Sequence, residues 1–291
     1  MSEYKTPSAE LRARVALEKY RFRNVHSLGQ NFLLSETLLN GLLDEAGIQP
    51  EDSVLEIGPG AGVMTRLLSD RAARVLALEL DRNLEPVLRE VLDGAENAHV
   101  VFQDAMKADL DALTQDFFSG ADFRVVANLP YYITADVLLR LVSLKRPPGS
   151  ICIMVQKEAA ERIMSEPGTK QWCALAAELQ YYGAARVLAE VRPEAFDPPP
   201  HVTSCFIRID RHDTPVVTPA DAAMFKRLIR AAFAMRRKTL ANNLKASFGL
   251  DPRAAREVLE AAGVDARARG ESLTLEELCR VADGISARSS K

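Results

Sequence analysis

The sequence has no CxxC pair. Its four cysteines (Cys152, Cys173, Cys205 and Cys279) are scattered over the 291 residues, and that spacing argues against a zinc site or any other metal centre. Cys152 and Cys205 fall in apolar, strand-like runs, where a buried thiol is the expected state. No apolar run is long enough to span a bilayer, and the start carries no signal-peptide pattern. A reducing cytoplasm and no membrane partner are therefore expected. Repeats and low-complexity tracts are also missing. So is an excess of positive charge: 37 Lys and Arg face 40 Asp and Glu, a net charge of −3. Bulk charge gives no support to nucleic-acid binding, so any such surface must be local.

The composition present is 47% hydrophobic and 26% charged, enough apolar mass for a sizeable core. Residues 1–25 read as a mixed-charge extension, with Lys5, Arg12, Arg14, Lys19, Arg21 and Arg23 against Glu3, Glu10 and Glu18. Ser35–Ala46 reads as a helix with a stripe of Leu38, Leu39, Leu42, Leu43 and Ala46, ended by Gly47. From Ser53 to Ile209, strand and helix patterns alternate. The strands expected are Ser53–Ile57, Arg74–Glu79, His99–Gln103, Arg124–Ala127, Ser150–Val155, Val187–Val191 and Ser204–Ile209. Several are apolar throughout, as strands covered on both faces are. Amphipathic stretches such as Val63–Leu68, Leu84–Leu92 and Ala135–Val142 lie between them. That alternation predicts an α/β fold with a parallel, Rossmann-like sheet. Beyond Asp210 the pattern is helical. Thr218 is the expected N-cap of the first helix, with Pro219 at its first position, and further starts are expected near Asp251 and Thr274. The domains predicted are 1–213, α/β, and 214–291, smaller and all-α.

Glu56-Ile57-Gly58-Pro59-Gly60-Ala61-Gly62 joins an apolar strand to a helix through a glycine-rich turn, which lets backbone approach a ligand closely. Glu79, at the end of the next strand about twenty residues on, suits a ribose hydroxyl pair. A nucleotide-binding oxidoreductase uses a similar device. The G-x-G-x-G spacing, with Glu two residues before the first glycine, looks instead like a class I methyltransferase dependent on S-adenosyl-L-methionine. Asp104, ending the third strand, suits an adenine amino group, although in isolation such an Asp is more often a helix N-cap.

Asn128-Leu129-Pro130-Tyr131-Tyr132 follows the fourth strand, at the end of a parallel sheet where such folds place ligands. A plain turn also explains Asn and Pro. The chemistry is more specific: the N6 lone pair of adenine is delocalised into the ring, so the nitrogen is a poor nucleophile. The Asn128 side-chain oxygen and a backbone carbonyl in Leu129–Pro130 form an acceptor pair for its two N–H protons, with proline stiffening the turn. Tyr131 is the expected stacking face, and Tyr132 packs or lines the entrance. A target held in structured RNA must be splayed out to reach the site.

Together these motifs resemble the ribosomal RNA adenine N6-dimethyltransferase family, known as KsgA or RsmA. The resemblance runs from His26 to Leu244. Its blocks are Leu28-Gly29-Gln30-Asn31-Phe32-Leu33, Glu56–Gly62, Glu79–Asp81, Gln103–Met106, Asn128–Thr134, Gln156-Lys157-Glu158, Pro193–Ser204 and Phe233–Leu244. It implies cofactor contacts at Gln30, Asn31, Leu33, Gly58, Gly60, Glu79, Asp104 and Asn128. It also implies dimethylation of N6 on two adjacent adenosines near the 3′ end of small-subunit rRNA. The implied partner is the immature small ribosomal subunit, approached by a monomer. Phe196 is either a second aromatic wall for the base or core packing. Gln171-Trp172-Cys173-Ala174-Leu175 departs from the family's usual Tyr-Gly-x-Leu-Ser and is expected to alter a loop near the substrate. Between Ala222 and Leu250 there are seven Lys or Arg and no acid. Arg230, Arg236, Arg237 and Lys238 are the phosphate-contacting candidates, with a solvated helix face as the plainer reading.

Overall fold

A computed structural model describes residues 7–24 and 29–289. Glu3, Lys5, His26 and Leu28 of the readings above lie outside them. In chain order the elements are α1 (Ala9–Lys19), β1 (Phe32–Leu33), α2 (Glu36–Ala46), β2 (Ser53–Ile57), α3 (Val63–Ser69), β3 (Arg74–Glu79), α4 (Glu85–Val91), β4 (Ala98–Phe102), α5 (Leu110–Phe118), β5 (Arg124–Asn128), α6 (Thr134–Leu141), β6 (Ser150–Gln156), α7 (Lys157–Ile163), α8 (Ala174–Tyr182), β7 (Gly183–Val191), β8 (Phe196–Asp197) and β9 (Ser204–Arg211). Four helices follow: α9 (Ala222–Ala234), α10 (Leu240–Phe248), α11 (Pro252–Ala261) and α12 (Leu275–Ser289).

Seven strands form one sheet in the order β4-β3-β2-β5-β6-β9-β7. The run from β4 to β6 is parallel, and β9 returns antiparallel to β6, with Gln156 opposite Ser204. Every residue of β2 is buried, as a central parallel strand requires. Strand order reverses between β2 and β5, and the crevice at such a switch point is where open α/β sheets bind ligands. The flanking helices are locally encoded. In α2 the Ser35 hydroxyl accepts from the Leu38 N–H, the Leu39, Leu42, Leu43 and Ala46 face is buried, and Gly47 closes the helix.

The chain divides into two compact units, and the division differs from the expected cut near Asp213. One unit runs to Ala160 and resumes from Arg186 to Asp210; the other joins Glu161–Ala185 to everything from Arg211 onward. The reason is packing. Trp172, Ala176 and Ala177 are buried in one cluster with Phe225, Leu228, Leu244, Leu259 and Leu278. The Trp172 ring is fully buried, meets Phe233 edge-on and donates its indole N–H to the Leu273 carbonyl at 3.2 Å. The departure at Gln171-Trp172-Cys173 thus supplies a core residue of the helical unit rather than a substrate-side loop. Truncating such an aromatic costs about 3–5 kcal/mol. A second correction concerns α9: its N-cap is Asp221, whose carboxylate accepts from Ala223 and Met224, not Thr218. Asp251 caps α11 with Pro252 behind it, and Thr274 and Glu277 cap α12 reciprocally.

Candidate active site

The carboxyl ends of β2, β3, β4 and β5 surround one cavity, closed by the chain around β1. Its wall comprises residues 29–34, 57–61, 78–80, 103–106 and 128–133, with Leu39, Val63 and Met64 behind. Gln30, Asn31, Leu33, Gly58, Gly60, Glu79, Asp104, Asn128, Leu129, Pro130 and Tyr131 all line it. Phe32, Leu80 and Met106 also do, and the motif reading missed them. Leu80 carried a signal, being an apolar residue between two acids, and it is 51% exposed.

The glycine loop is shaped by close approach. Gly60 has φ +55°, and a side chain there would meet the Phe32 ring at 2.9 Å. Its N–H donates to Glu79 Oε2 at 3.0 Å, while Glu79 Oε1 accepts from the Asp81 N–H at 2.8 Å. Burial pushes the Glu79 carboxyl above its usual range, and the N–H bonds from Asp81, Gly60 and Leu80 pull it back. Gln30 donates to Asp81 Oδ2 at 3.0 Å, tying the β1 approach to the β3 end. Asp104 lines the cavity, and its Oδ1 accepts from the Met106 N–H at 2.9 Å to close a turn; it caps no helix, the N-cap of α5 being Asp109.

Beneath the loop lies Glu56. It is fully buried beside Glu79, and burial raises its pKa to about 8. The neighbouring Thr65 hydroxyl opposes that rise, and neither Glu56 oxygen makes a hydrogen bond of regular geometry among the described residues.

The Asn128 turn is equally constrained. The Asn128 amide donates to the Asn31 carbonyl at 3.3 Å, which turns its Oδ1 the other way. The Pro130 carbonyl already accepts from the Ile133 N–H and the Thr134 hydroxyl, both at 3.2 Å. Tyr131 is half-buried, and its hydroxyl shares a 2.6 Å hydrogen bond with the buried Ser204 hydroxyl on β9. Phe196 does not join these residues at the cavity. It is 4% exposed and packs in the main core, its backbone paired with Leu33. Of its two readings, the structure gives core packing.

The basic residues separate likewise. Arg230 grips the buried Glu178 with two bonds, 2.8 and 3.0 Å, so its fork is already occupied. Arg236 donates to the Lys170 carbonyl at 2.7 Å and lies 3.4 Å from Glu271. Arg237 and Lys238 are exposed in the loop between α9 and α10. The helical unit carries 17 Lys and Arg against 13 Asp and Glu, or +4, and the other unit 20 against 27, or −7. The acidic total thus conceals a cationic helical unit.

A mostly parallel sheet with a glycine loop and an Asn-Leu-Pro-Tyr turn at its switch point defines the class I methyltransferase fold. The ribosomal RNA adenine dimethylase model matches residues 21–286, and the chain belongs to that family, whose members use S-adenosyl-L-methionine as methyl donor. The chain is 42% identical over 279 residues to ribosomal RNA small subunit methyltransferase A of Alkaliphilus metalliredigens, covering 95% of this chain and 97% of that protein. It is 39% identical over 289 residues to the protein so named in Bacillus mycoides, covering 98% of each. Among solved structures, a dimethyladenosine transferase from Plasmodium falciparum shares the fold with TM-score 0.71 and 22% identity, over 85% of this chain and 94% of that one. The 23S rRNA methyltransferase ErmE matches with TM-score 0.64 and 25% identity, over 88% and 100%. Among the described residues no helix is long and apolar enough to cross a membrane.

Proposed function

We propose that this chain dimethylates N6 of two adjacent adenosines near the 3′ end of small-subunit rRNA, acting as a monomer on the immature subunit in the cytoplasm. The observation that carries the reading is the cavity shared by the glycine loop, two strand-end carboxylates and the Asn128 turn. Those residues suit a nucleoside-bearing donor. Glu79 keeps lone pairs for a ribose diol, Asp104 for an adenine amino group, and Gly58 and Gly60 leave room for close backbone contact. Gln30, Asn31 and Leu33 complete that wall. The donor supplies a methyl group already activated on a sulfonium.

This chain's own residues orient the acceptor nitrogen. Asn128 Oδ1, set by the Asn31 carbonyl, accepts one N6 proton. The second acceptor is the Leu129 carbonyl, because the Pro130 carbonyl is already used twice. With both protons held, the N6 lone pair turns out of conjugation and faces the methyl carbon in line. The methylated nitrogen gives up one proton to solvent, leaving one N–H, so the second transfer runs on a single acceptor. Tyr131, tethered by Ser204, stacks on the base. Arg237 and Lys238 meet phosphates, with Arg236 beside them; Arg230 has no part in this.

Asn128→Ala tests the reading. Methyl transfer should fall about 10²–10³-fold, the cost of losing one preorganised polar contact to a transition state, with cofactor affinity measured by calorimetry largely kept. Full activity in the variant would sink the mechanism.

A further inference from the structure

Tyr131 and Tyr132 are consecutive, line the same cavity and sit in opposite environments. Tyr131 is half-buried and tethered through its hydroxyl to the buried Ser204 at 2.6 Å. Tyr132 is 64% exposed, the most exposed of the large hydrophobic side chains among the described residues. It is nevertheless seated. Gly29, with φ +59°, passes beneath it so closely that a side chain there would lie 3.2 Å from Pro130 Cβ and 3.4 Å from Tyr132 Cε1. A glycine at that point lets the ring rest on backbone, with a free face outward at the rim. An aromatic left 64% exposed at a cavity rim gains little from folding, since most of its surface stays in solvent. It is suited to a flat apolar partner, and every nucleobase offers one.

We propose that Tyr132 is a stacking platform for the base next to the one being methylated. The ligand is a purine flanking the target, in single-stranded or splayed RNA. With two adjacent adenosines, each takes the platform in turn: while one sits in the Asn128 cavity, its neighbour covers the Tyr132 face. The inference rests on the proposed function, which supplies the adjacent pair. It adds the site that holds the second base and a reason for two neighbouring targets to be preferred to one.

The test compares wild type, Tyr132→Ala and Tyr132→Phe on two reconstituted small subunits. One carries both adenosines; in the other, the neighbour of the target is an abasic nucleotide. On the two-adenosine substrate Tyr132→Ala should raise KM about 5- to 150-fold, the range for loss of one base–aromatic stack, with kcat for the first methyl and cofactor affinity little changed. Tyr132→Phe keeps the ring and should stay near wild type. On the abasic substrate wild type should fall to the level of Tyr132→Ala, closing the gap. A Tyr132→Ala enzyme equal to wild type on both substrates overturns the platform, as does a gap that persists beside the abasic nucleotide. Wild type transferring no methyl to the two-adenosine subunit would instead overturn the parent reading, and with it the platform. Because the side chain is exposed, folding is not at stake, and a matching thermal transition checks that.

Discussion

Removing Arg230 should weaken the fold of the helical unit rather than its hold on RNA. Both guanidinium contacts end on Glu178, whose side chain is 1% exposed, while that of Arg230 is 58% exposed. A fully exposed pair contributes about 0–1 kcal/mol, and stripping one partner from a fully buried pair costs about 3–5 kcal/mol. This pair lies between, because Glu178 is desolvated and Arg230 is half in water. Lys226 moderates the loss. Burial lowers its pKa and Glu178 raises it, so a second cation already acts on the carboxylate. A cost of about 2–3 kcal/mol for Arg230→Ala follows. The assay is urea unfolding followed by tryptophan fluorescence. Trp172 is the only tryptophan in the chain and is fully buried in the same unit. Glu178→Gln in the Arg230→Ala background should recover much of the loss, since the stranded charge is gone. A variant that unfolds like wild type while binding RNA more weakly would refute the structural role and return Arg230 to the RNA surface.

Two further outcomes are expected. Glu56 binds a proton in the folded chain up to about pH 8 but loses it near 4.5 when unfolded, so stability should decline as pH rises through that window and level off above it. Glu56→Gln should flatten the decline, its advantage growing by up to about 1.4 kcal/mol per pH unit; a variant with the same pH profile as wild type refutes the assignment. Replacing Arg237 and Lys238 with Ser should weaken RNA binding and reduce the slope of log affinity against log salt by about 1–2, and an unchanged slope would take both residues off the RNA surface.

Much of this molecule was legible in the sequence wherever the determinant is local. All seven sheet strands were placed, five with both ends within one residue, because the central ones, buried on both faces, leave an uninterrupted apolar run. The edge strand β7 is the exception: it starts four residues earlier than expected, its exposed Ala184 and Arg186 giving no such run. The glycine loop and the Asn128 turn read well because backbone that must meet a ligand restricts residue type. What the sequence withheld depends on distant partners. Nothing near Arg230 announces Glu178, 52 residues away, so the acid-free stretch looked more available to phosphate than it is. Trp172 was taken for a loop residue because its core is built from segments beyond Arg211. Phe196 left two readings open, and pairing with Leu33 across 163 residues decided between them.

The central claim is the identity of the methylated atom and of the RNA that carries it. Purified chain, isotopically labelled S-adenosyl-L-methionine and immature ribosomal subunits of both sizes should be incubated together, and the digested rRNA read by mass spectrometry. The account predicts labelled N6,N6-dimethyladenosine at two neighbouring positions near the 3′ end of small-subunit rRNA and none in large-subunit rRNA. Label on large-subunit adenine, or on any atom other than adenine N6, would contradict it.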